Sequence, residues 1–511
     1  MVNQTHSKMH ISKVNEVYLN LEVDSGLGRE LADYFTFEVP GAKFMPMYKK
    51  RIWDGKVRLY SQQTGKIYCG LLPYVKKFCS KNSIDYIIEE GVEDDRNLIR
   101  EDVRKFTESL RPQSKGKKLD IRDYQTDAIL HSLRKHRSLI ISPTASGKSL
   151  IIYTLVRYYN LLLKDKKILI LVPTTSLVEQ MYYDFIDYGW SDKNIHRIYS
   201  GHERTTDKPV VVSTWQSLYK MPKKYFKDFG CIIGDEAHLF KARSLTSILT
   251  KLENCKYRHG FTGTLDGTQT HRLILEGLFG TVEKVVSTKD LMDKNTLAKL
   301  NIKCIVLKHA EEECKEIKGC TYAEEMDYLV SHTNRNRFIV NLSMALEGNT
   351  LILYQFVEKH GKLLYRWLEY FCYKCVQGLG LGLDETKKIF LVDGETPTKR
   401  RELIREAAEK NNNMFIVASY GTFSTGINIK NINNIIFASP SKSRIRVLQS
   451  IGRGLRTSDT KDTVTIYDIA DNLSHTAWTN FTFNHFQERI NIYNEEEFDY
   501  QIDKVRLKKN D

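Results

Sequence analysis

The chain has 511 residues, of which 77 are Lys or Arg and 63 are Asp or Glu, leaving a formal charge of +14 at pH 7. At roughly 150 residues per domain the length implies two to four domains, and a 41% hydrophobic share with 29 Gly and 10 Pro excludes a fibrous or largely disordered chain. No apolar run approaches the roughly eighteen residues of a membrane span, and the opening MVNQTHSKMHISK lacks the apolar centre of a signal peptide, so an intracellular protein is expected. The positive balance favours a polyanionic partner. The 9 cysteines are scattered and read as free, mostly buried thiols. Cys372 and Cys375 have zinc-like spacing but no second pair and no neighbouring histidine, so no zinc site is expected.

The first 108 residues predict a small α+β domain. Val14–Val23 alternates as a strand, Gly26–Phe35 suits a short helix, and Asp54–Gly55 and Thr64–Gly65 read as turns between antiparallel strands. A short helix after Pro73 and a strand at Ile84–Ile88 complete it. From Lys43 to Lys81 there are ten basic residues and one acid, Asp54, interleaved with Phe44, Tyr48, Trp53, Tyr60, Tyr68, Tyr74 and Phe78. Basic charge attracts phosphates without reading sequence, and exposed aromatics stack on unpaired bases. Lys49, Lys50, Arg51, Trp53 and Lys56 are the candidate nucleic-acid contacts. Most of the aromatics, Tyr60 and Tyr68 included, are expected to pack, and Trp53 beside its turn is expected to be exposed.

Residues 109–118 (SLRPQSKGKK) read as a linker. From 119 to 290, short apolar runs alternate with helical patterns: Ser138–Ile141 before a helix from Lys148, Ile168–Val172 before a helix from Ser176, then Val210–Val212, Cys231–Ile233 and Tyr257–Phe261. After a break near Ser287 to Asn301, residues 291–470 repeat the plan with Thr350–Tyr354, Ile389–Val392, Met414–Ala418, Ile435–Ala438 and Thr463–Tyr467. Continuous apolar strands of this kind suit parallel sheets covered on both faces by helices, with ligands at the carboxyl ends of the strands. The tail, 471–511, carries Trp478, Phe481, Phe483 and Phe486 and then Glu495 to Glu497, and reads as a helix packed on the second domain by its aromatics.

The stretch Ser142-Pro143-Thr144-Ala145-Ser146-Gly147-Lys148-Ser149 follows an apolar strand and opens a helix. A phosphate-binding loop needs that context. Backbone N–H groups of Thr144, Ala145, Ser146 and Gly147 would cradle phosphates, Lys148 would reach the β/γ oxygens, and the Ser149 hydroxyl would hold Mg²⁺. Ser142 stands where the strict pattern has Gly. A second apolar strand ends in Asp235-Glu236-Ala237-His238, where Asp235 would share the Mg²⁺ and Glu236 would polarise the attacking water. The pair points to an ATPase using ATP and Mg²⁺.

Taken in order, these residues resemble a superfamily 2 helicase, in particular phage recombination and repair members with an Asp-Glu-Ala-His box and an extra N-terminal domain. The resemblance covers residues 119 to 470 by motif. It implies two tandem RecA-like motor domains, preceded by the small α+β nucleic-acid-binding domain and followed by a short helical tail. Arg122-Asp123-Tyr124-Gln125 resembles the adenine-recognising element, in which Gln125 reads the base edge with Arg122 nearby. Thr174 in Pro173 to Gln180 and Thr214 in Ser213 to Leu218 fall in segments similar to those that touch the tracked strand. Thr262, Gly263 and Thr264 resemble the element coupling ATP to nucleic acid. Ser419 to Ile429 resembles the motif contacting both ligands, with Ser419 and Thr422 toward nucleic acid and Asn428, where many relatives have Asp, toward nucleotide. Gln449 to Arg456 has the spacing QxxGRxxR; by resemblance Gln449 couples, and Arg453 and Arg456 act as fingers on the phosphates.

The resemblance further implies an ATP-hydrolysing DNA helicase for branched DNA: Holliday-junction branch migration, fork regression, and D-loop and R-loop unwinding in recombination, replication and repair. Its partners would be branched and single-stranded DNA, RNA–DNA hybrids, and recombination and single-strand-binding proteins, with no membrane, in the cytoplasm of an infected bacterial cell. An RNA helicase, or a nucleotide-switched DNA-binding or annealing protein without processive unwinding, are the alternatives.

Overall fold

The computed structural model describes residues 8–241, 243–379, 387–426, 429–456 and 461–508. One compact unit runs from the start of the described chain to Val286, without residues 143–146, and the other begins at Ser287. The first unit opens on a five-stranded sheet whose spatial order is Tyr60–Ser61, Lys66–Tyr68, Tyr18–Glu22, Lys8–Lys13, Asp85–Ile88. Its pairs are antiparallel except the last, where Lys8–Lys13 runs parallel to Asp85–Ile88. The predicted strand from Val14 is extended only from Tyr18. Val14 and Asn15 instead turn the hairpin, because the Asn15 side chain accepts the N–H groups of Val17 and Tyr18 and so supplies a local alternative to the ladder.

Alternation does the rest. Met9, Ile11, Leu19 and Leu21 point to one face and are buried with Leu31, Val75 and Phe78 from the helices Ser25–Tyr34 and Leu72–Lys81. The same core takes in Leu273 of the helix Gln269–Phe279. That helix ties the small domain to the motor sheet. The Tyr74 hydroxyl donates to Glu276 Oε2 at 2.5 Å, Arg137 pairs with Glu16 at 2.8 Å, and a Cβ on Gly70 would lie 1.9 Å from the Glu276 carbonyl. Glycine there is a packing requirement.

The segment read as a linker is structured. Gln113–Ser114 and Lys117–Lys118 pair as a hairpin, and Ser114 Oγ and the Lys115 N–H donate to Asp187. Upstream, the helix Arg100–Ser109 places Val103 in the motor core with Leu98 and Leu110. The first motor sheet has the order Ile195–Ile198, Val210–Thr214, Lys167–Val172, Phe229–Gly234, Tyr257–Thr262, Arg137–Ile141, Val282–Lys284, and every pair is parallel. Only one strand, Tyr257–Thr262, separates the strand before the glycine loop from the strand before the acidic pair.

The second unit repeats the architecture, ordered Lys388–Val392, Met414–Ser419, Thr350–Tyr354, Asn434–Phe437, Thr463–Asn472, Lys299–Lys308, Tyr500–Arg506, again all parallel. The chain is thus α/β, with two parallel RecA-like sheets after a smaller α+β sheet. The tail is a helix, Phe481–Glu495, followed by the edge strand Tyr500–Arg506. Phe486, Ile492 and Tyr493 are buried on that helix, and the fully buried Arg489 grips Asp468 with its Nε at 3.0 and 2.9 Å from the two carboxylate oxygens. Among the described residues no helix is long and apolar enough to cross a membrane.

Candidate nucleotide and nucleic-acid sites

The strand Arg137–Ile141 delivers the chain into the loop at Ser142, whose N–H donates to the Thr262 carbonyl at 2.9 Å. Ser146 closes the loop by donating both its N–H (3.2 Å) and its hydroxyl (2.7 Å) to the Pro143 carbonyl. Ala145 and Gly147 both have left-handed backbones, φ 65 and 82, and consecutive turns of this kind aim N–H groups inward as an anion nest. The helix Lys148–Leu162 then starts without a side-chain cap, so its first N–H groups are left for a ligand. Lys148 and Ser149 are half-buried at that mouth.

Gln125 is buried against this loop, and a Cβ on Gly147 would fall 2.3 Å from its Nε2. Its Oε1 accepts the Arg122 N–H at 3.0 Å, closing the start of the helix Asp123–Lys135, while the exposed Arg122 donates to the Tyr124 hydroxyl. Arg122 and Gln125 are therefore brought together, and the glutamine amide is placed beside Gly147.

Asp235 follows the strand Phe229–Gly234 and is buried. That burial pushes its carboxyl up to about 6, against the pull of the Lys148 ammonium. Glu236 has a left-handed backbone, φ 51, a strained conformation for a side-chain-bearing residue that marks functional turns. Its Oε2 is buried without a hydrogen-bond partner among the described residues and lies 3.4 Å from His238 Nδ1. The Thr262 hydroxyl gives its one proton to the Thr264 carbonyl at 2.8 Å, so at its 3.0 Å contact with His238 Nδ1 the imidazole is the donor. Thr262 thus joins the acidic box to the turn of Gly263 and Thr264. His238, the last residue of the acidic box, holds Thr262. One link escaped sequence reasoning: His271, on the helix Gln269–Phe279, meets the His238 carbonyl at 2.8 Å, and its spacing would not have singled it out.

Thr174 and Thr214 line one groove of about 600 Å³ with Tyr199, His202 and Arg204. Thr174 also caps the helix Thr175–Asp187, accepting the Leu177 N–H at 3.3 Å, and the Thr214 hydroxyl meets Ser217 Oγ at 3.0 Å. Tyr199, His202 and Arg204 come from a loop with no motif, so only the fold reveals them.

In the second unit, Ser419 Oγ and Thr422 Oγ1 are 2.8 Å apart at the start of the helix Tyr420–Gly426. Asn428 lies outside the described residues. Gln449 and Arg453 ride on the helix Arg444–Gly454, with Arg456 just beyond it. Arg453 lies over the Phe423 ring at 5.7 Å, and Lys461 Nζ donates to the carbonyls of Gly454 and Arg456, bracing the turn after the helix. His309, Glu313 and His332 cluster in the core of this unit. Because His332 Nδ1 accepts the Arg335 N–H at 3.1 Å, its Nε2 carries the proton donated to Glu313 Oε1 at 3.1 Å. The cluster is a hydrogen-bonded brace with no ring lone pair of His332 left for an ion.

On the small domain Lys49, Lys50, Arg51 and Lys56 are exposed. Trp53, expected to be exposed, is half-buried because its indole N–H donates to the Lys56 carbonyl at 2.8 Å. Phe44 takes its place as the exposed aromatic, at 82%. Tyr60 is buried and Tyr68 stacks on Tyr18 at 5.2 Å.

Three family descriptions match the chain in order: "DNA helicase UvsW, N-terminal" over residues 8–89, "Type III restriction enzyme, res subunit" over 118–267, and "Helicase conserved C-terminal domain" over 334–458. The protein described as "ATP-dependent DNA helicase uvsW" of Enterobacteria phage T4 is 34% identical over 98% of this chain and 99% of its own. The chain belongs to the UvsW family of superfamily 2 helicases. The crystal structure of T4 UvsW covers 98% of the chain and 99% of its own with a TM-score of 0.52 at 31% identity. A second UvsW structure covers 54% of the chain and 99% of its own at 0.51 and 34%. With the family goes its class of enzyme, an ATP-dependent helicase.

Proposed function

We propose that this protein is an ATP- and Mg²⁺-dependent DNA helicase that acts on branched DNA, migrating Holliday junctions, regressing forks and unwinding D-loops and R-loops in phage recombination, replication and repair. The observation that carries the reading is a basic α+β domain fixed to the first motor sheet by Tyr74–Glu276 and Glu16–Arg137, which gives a motor a second, phosphate-attracting grip. Single-stranded DNA, RNA–DNA hybrids, and recombination and single-strand-binding proteins belong to the proposed partner set.

The residues fit Mg–ATP. Bound there, it supplies the phosphoanhydride bond and a cation to neutralise charge in phosphoryl transfer. The N–H groups of Thr144, Ala145 and Gly147, with that of Ser146 once released from the Pro143 carbonyl, and the Lys148 ammonium would bind phosphate oxygens, and Ser149 and Asp235 would hold the cation. Gln125, with Arg122, orients the base. Glu236, whose Oε2 has no hydrogen-bond partner among the described residues, would accept a proton from the attacking water. Arg453 and Arg456 are proposed as the second unit's planar cations for phosphate. Thr262 and Thr264 in the first unit and Gln449 in the second are the proposed coupling residues, and Thr174, Thr214, Ser419 and Thr422 the proposed nucleic-acid contacts.

The test compares ATP-driven unwinding of forks, four-way junctions, RNA–DNA hybrids and linear duplexes by the wild type and by Glu236→Gln. The variant is expected to bind ATP with unchanged affinity and to lose hydrolysis and unwinding. A wild type that unwinds linear duplex as well as forks, or is stimulated by RNA and not by DNA, overturns the branched-DNA reading.

A further inference from the structure

Residues 41 to 55 of the small domain connect the paired strands Thr36–Glu38 and Lys56–Arg58. The connection is built, not loose. Gly41 and Gly55 both have left-handed backbones, φ 75 and 79, and the Val39 N–H donates to the Gly55 carbonyl at 2.8 Å. A Cβ on Gly55 would touch Ala42 and the Tyr48 ring at 3.0 and 3.1 Å. The Ile52 N–H donates to the Met47 carbonyl at 3.0 Å, which folds the segment back on itself. On this frame the apolar side chains face water: Phe44 is 82% exposed, Ile52 67% and Met47 52%. Single exposed apolar residues are ordinary; a cluster of them on one short segment marks a contact surface. Lys43, Lys49, Lys50 and Arg51 lie on the same segment, all exposed, and an open groove of about 870 Å³ is lined by Lys43, Lys49, Arg51 and Ile52 together with the paired Asp54 and Arg58.

Resting on the branched-DNA reading, we propose that Phe44 and Ile52 form a wedge that enters the base stack at a DNA branch point, with Lys43, Lys49 and Lys50 on the flanking phosphates. The chemistry favours this occupant. Cationic side chains around an apolar tip match phosphates around a base stack, and Phe and Ile are among the side chains that part base steps. Unstacking costs least where the stack is already interrupted, so the wedge selects branches over continuous duplex. A phenyl ring also stacks on any terminal base, which makes the contact independent of sequence.

The experiment uses the full chain and the double variant Phe44→Ala/Ile52→Ala, whose exposed positions leave the core untouched. A fork carries the fluorescent base 2-aminopurine at its last pair, and a linear duplex carries it internally. The wild type, held with a nonhydrolysable ATP analogue, is expected to raise fluorescence on the fork and not on the duplex. In the double variant that signal disappears and fork unwinding falls about tenfold or more. Its ATPase stimulated by single-stranded DNA stays within twofold, its fork affinity stays within threefold, and Phe44→Trp alone behaves as wild type. Unwinding by the double variant within twofold of wild type, or a loss matched by an equal loss of stimulated ATPase, overturns the wedge. So does binding to anionic phospholipid vesicles that depends on Phe44 while fork unwinding does not. If the branched-DNA reading itself fails, the wild type shows no fork preference, a different result from any of these.

Discussion

Thr262→Val isolates the link between the acidic box and the rest of the motor. The substitution keeps the β-branched shape and removes only the hydroxyl, at a position with no exposure to solvent. That hydroxyl accepts from His238 Nδ1 at 3.0 Å and from the Thr264 N–H at 3.3 Å and donates to the Thr264 carbonyl at 2.8 Å, so the substitution removes three bonds at once. A buried polar group without a partner costs about 1–3 kcal/mol, and Thr to Val is not a neutral exchange for that reason. Some of the loss appears as stability, with Tm falling by roughly 2–4 °C per kcal/mol in a unit of this size. The rest appears where His238 and Thr264 must hold their places during turnover, and about 1.4 kcal/mol there is tenfold in rate. The expected result is ATP affinity within threefold of wild type, DNA-stimulated ATPase and fork unwinding lowered by roughly 10- to 100-fold, and recovery in Thr262→Ser, which restores the hydroxyl. Steady-state ATPase with and without DNA, run beside fork unwinding, decides it. Stimulation and unwinding in Thr262→Val within twofold of wild type would refute the reasoning.

Gly147→Ala forces a Cβ to within 2.3 Å of Gln125 Nε2 at φ +82; ATP binding is expected to weaken at least tenfold, measured by titration of a fluorescent nucleotide, while the far-UV circular dichroism is unchanged. Burial holds His259 down to about 3, with its ring nitrogens 2.9 Å from Ser138 Oγ and 2.9 Å from the Tyr159 hydroxyl. Because the unfolded imidazole takes its proton near pH 6.5, stability is complete above that value and is lost as pH falls toward about 3, by roughly 5 kcal/mol at the limit. Urea midpoints between pH 7 and 4 are expected to depend less on pH in His259→Asn, and an unchanged slope would remove His259 from the account. Arg489→Met leaves the Asp468 carboxylate buried and unpaired, a loss of about 3–5 kcal/mol. The double variant Asp468→Leu/Arg489→Met is expected to recover most of it in thermal melts, and no recovery would mean that the pair matters for something other than its charges.

The sequence by itself carried whatever depends on neighbours along the chain. Apolar runs such as Ile168–Val172 and Cys231–Ile233 suit strands buried on both faces, and Gly147-Lys148-Ser149 after such a run suits a phosphate loop opening a helix, so the two sheets and the glycine loop were legible. The acidic pair was legible for the same reason, standing at the end of such a run. Tertiary structure alone decided what depends on residues far apart. Nothing in the order of strands along the chain says that Tyr257–Thr262 lies between the glycine-loop strand and the acidic strand, yet that placement is what gives Thr262 its role and draws in His238 and His271. The tail's aromatics suggested packing, but its anchor is the Arg489–Asp468 pair, and its last strand adds to an edge made by residues almost 200 positions earlier. Exposure was misjudged at Trp53 because an indole hydrogen bond to the Lys56 carbonyl, 2.8 Å long, is invisible in composition. Periodicity reports which face of an element is apolar; which partner covers that face, and which apolar side chain is left for a ligand, is fixed by packing between distant segments.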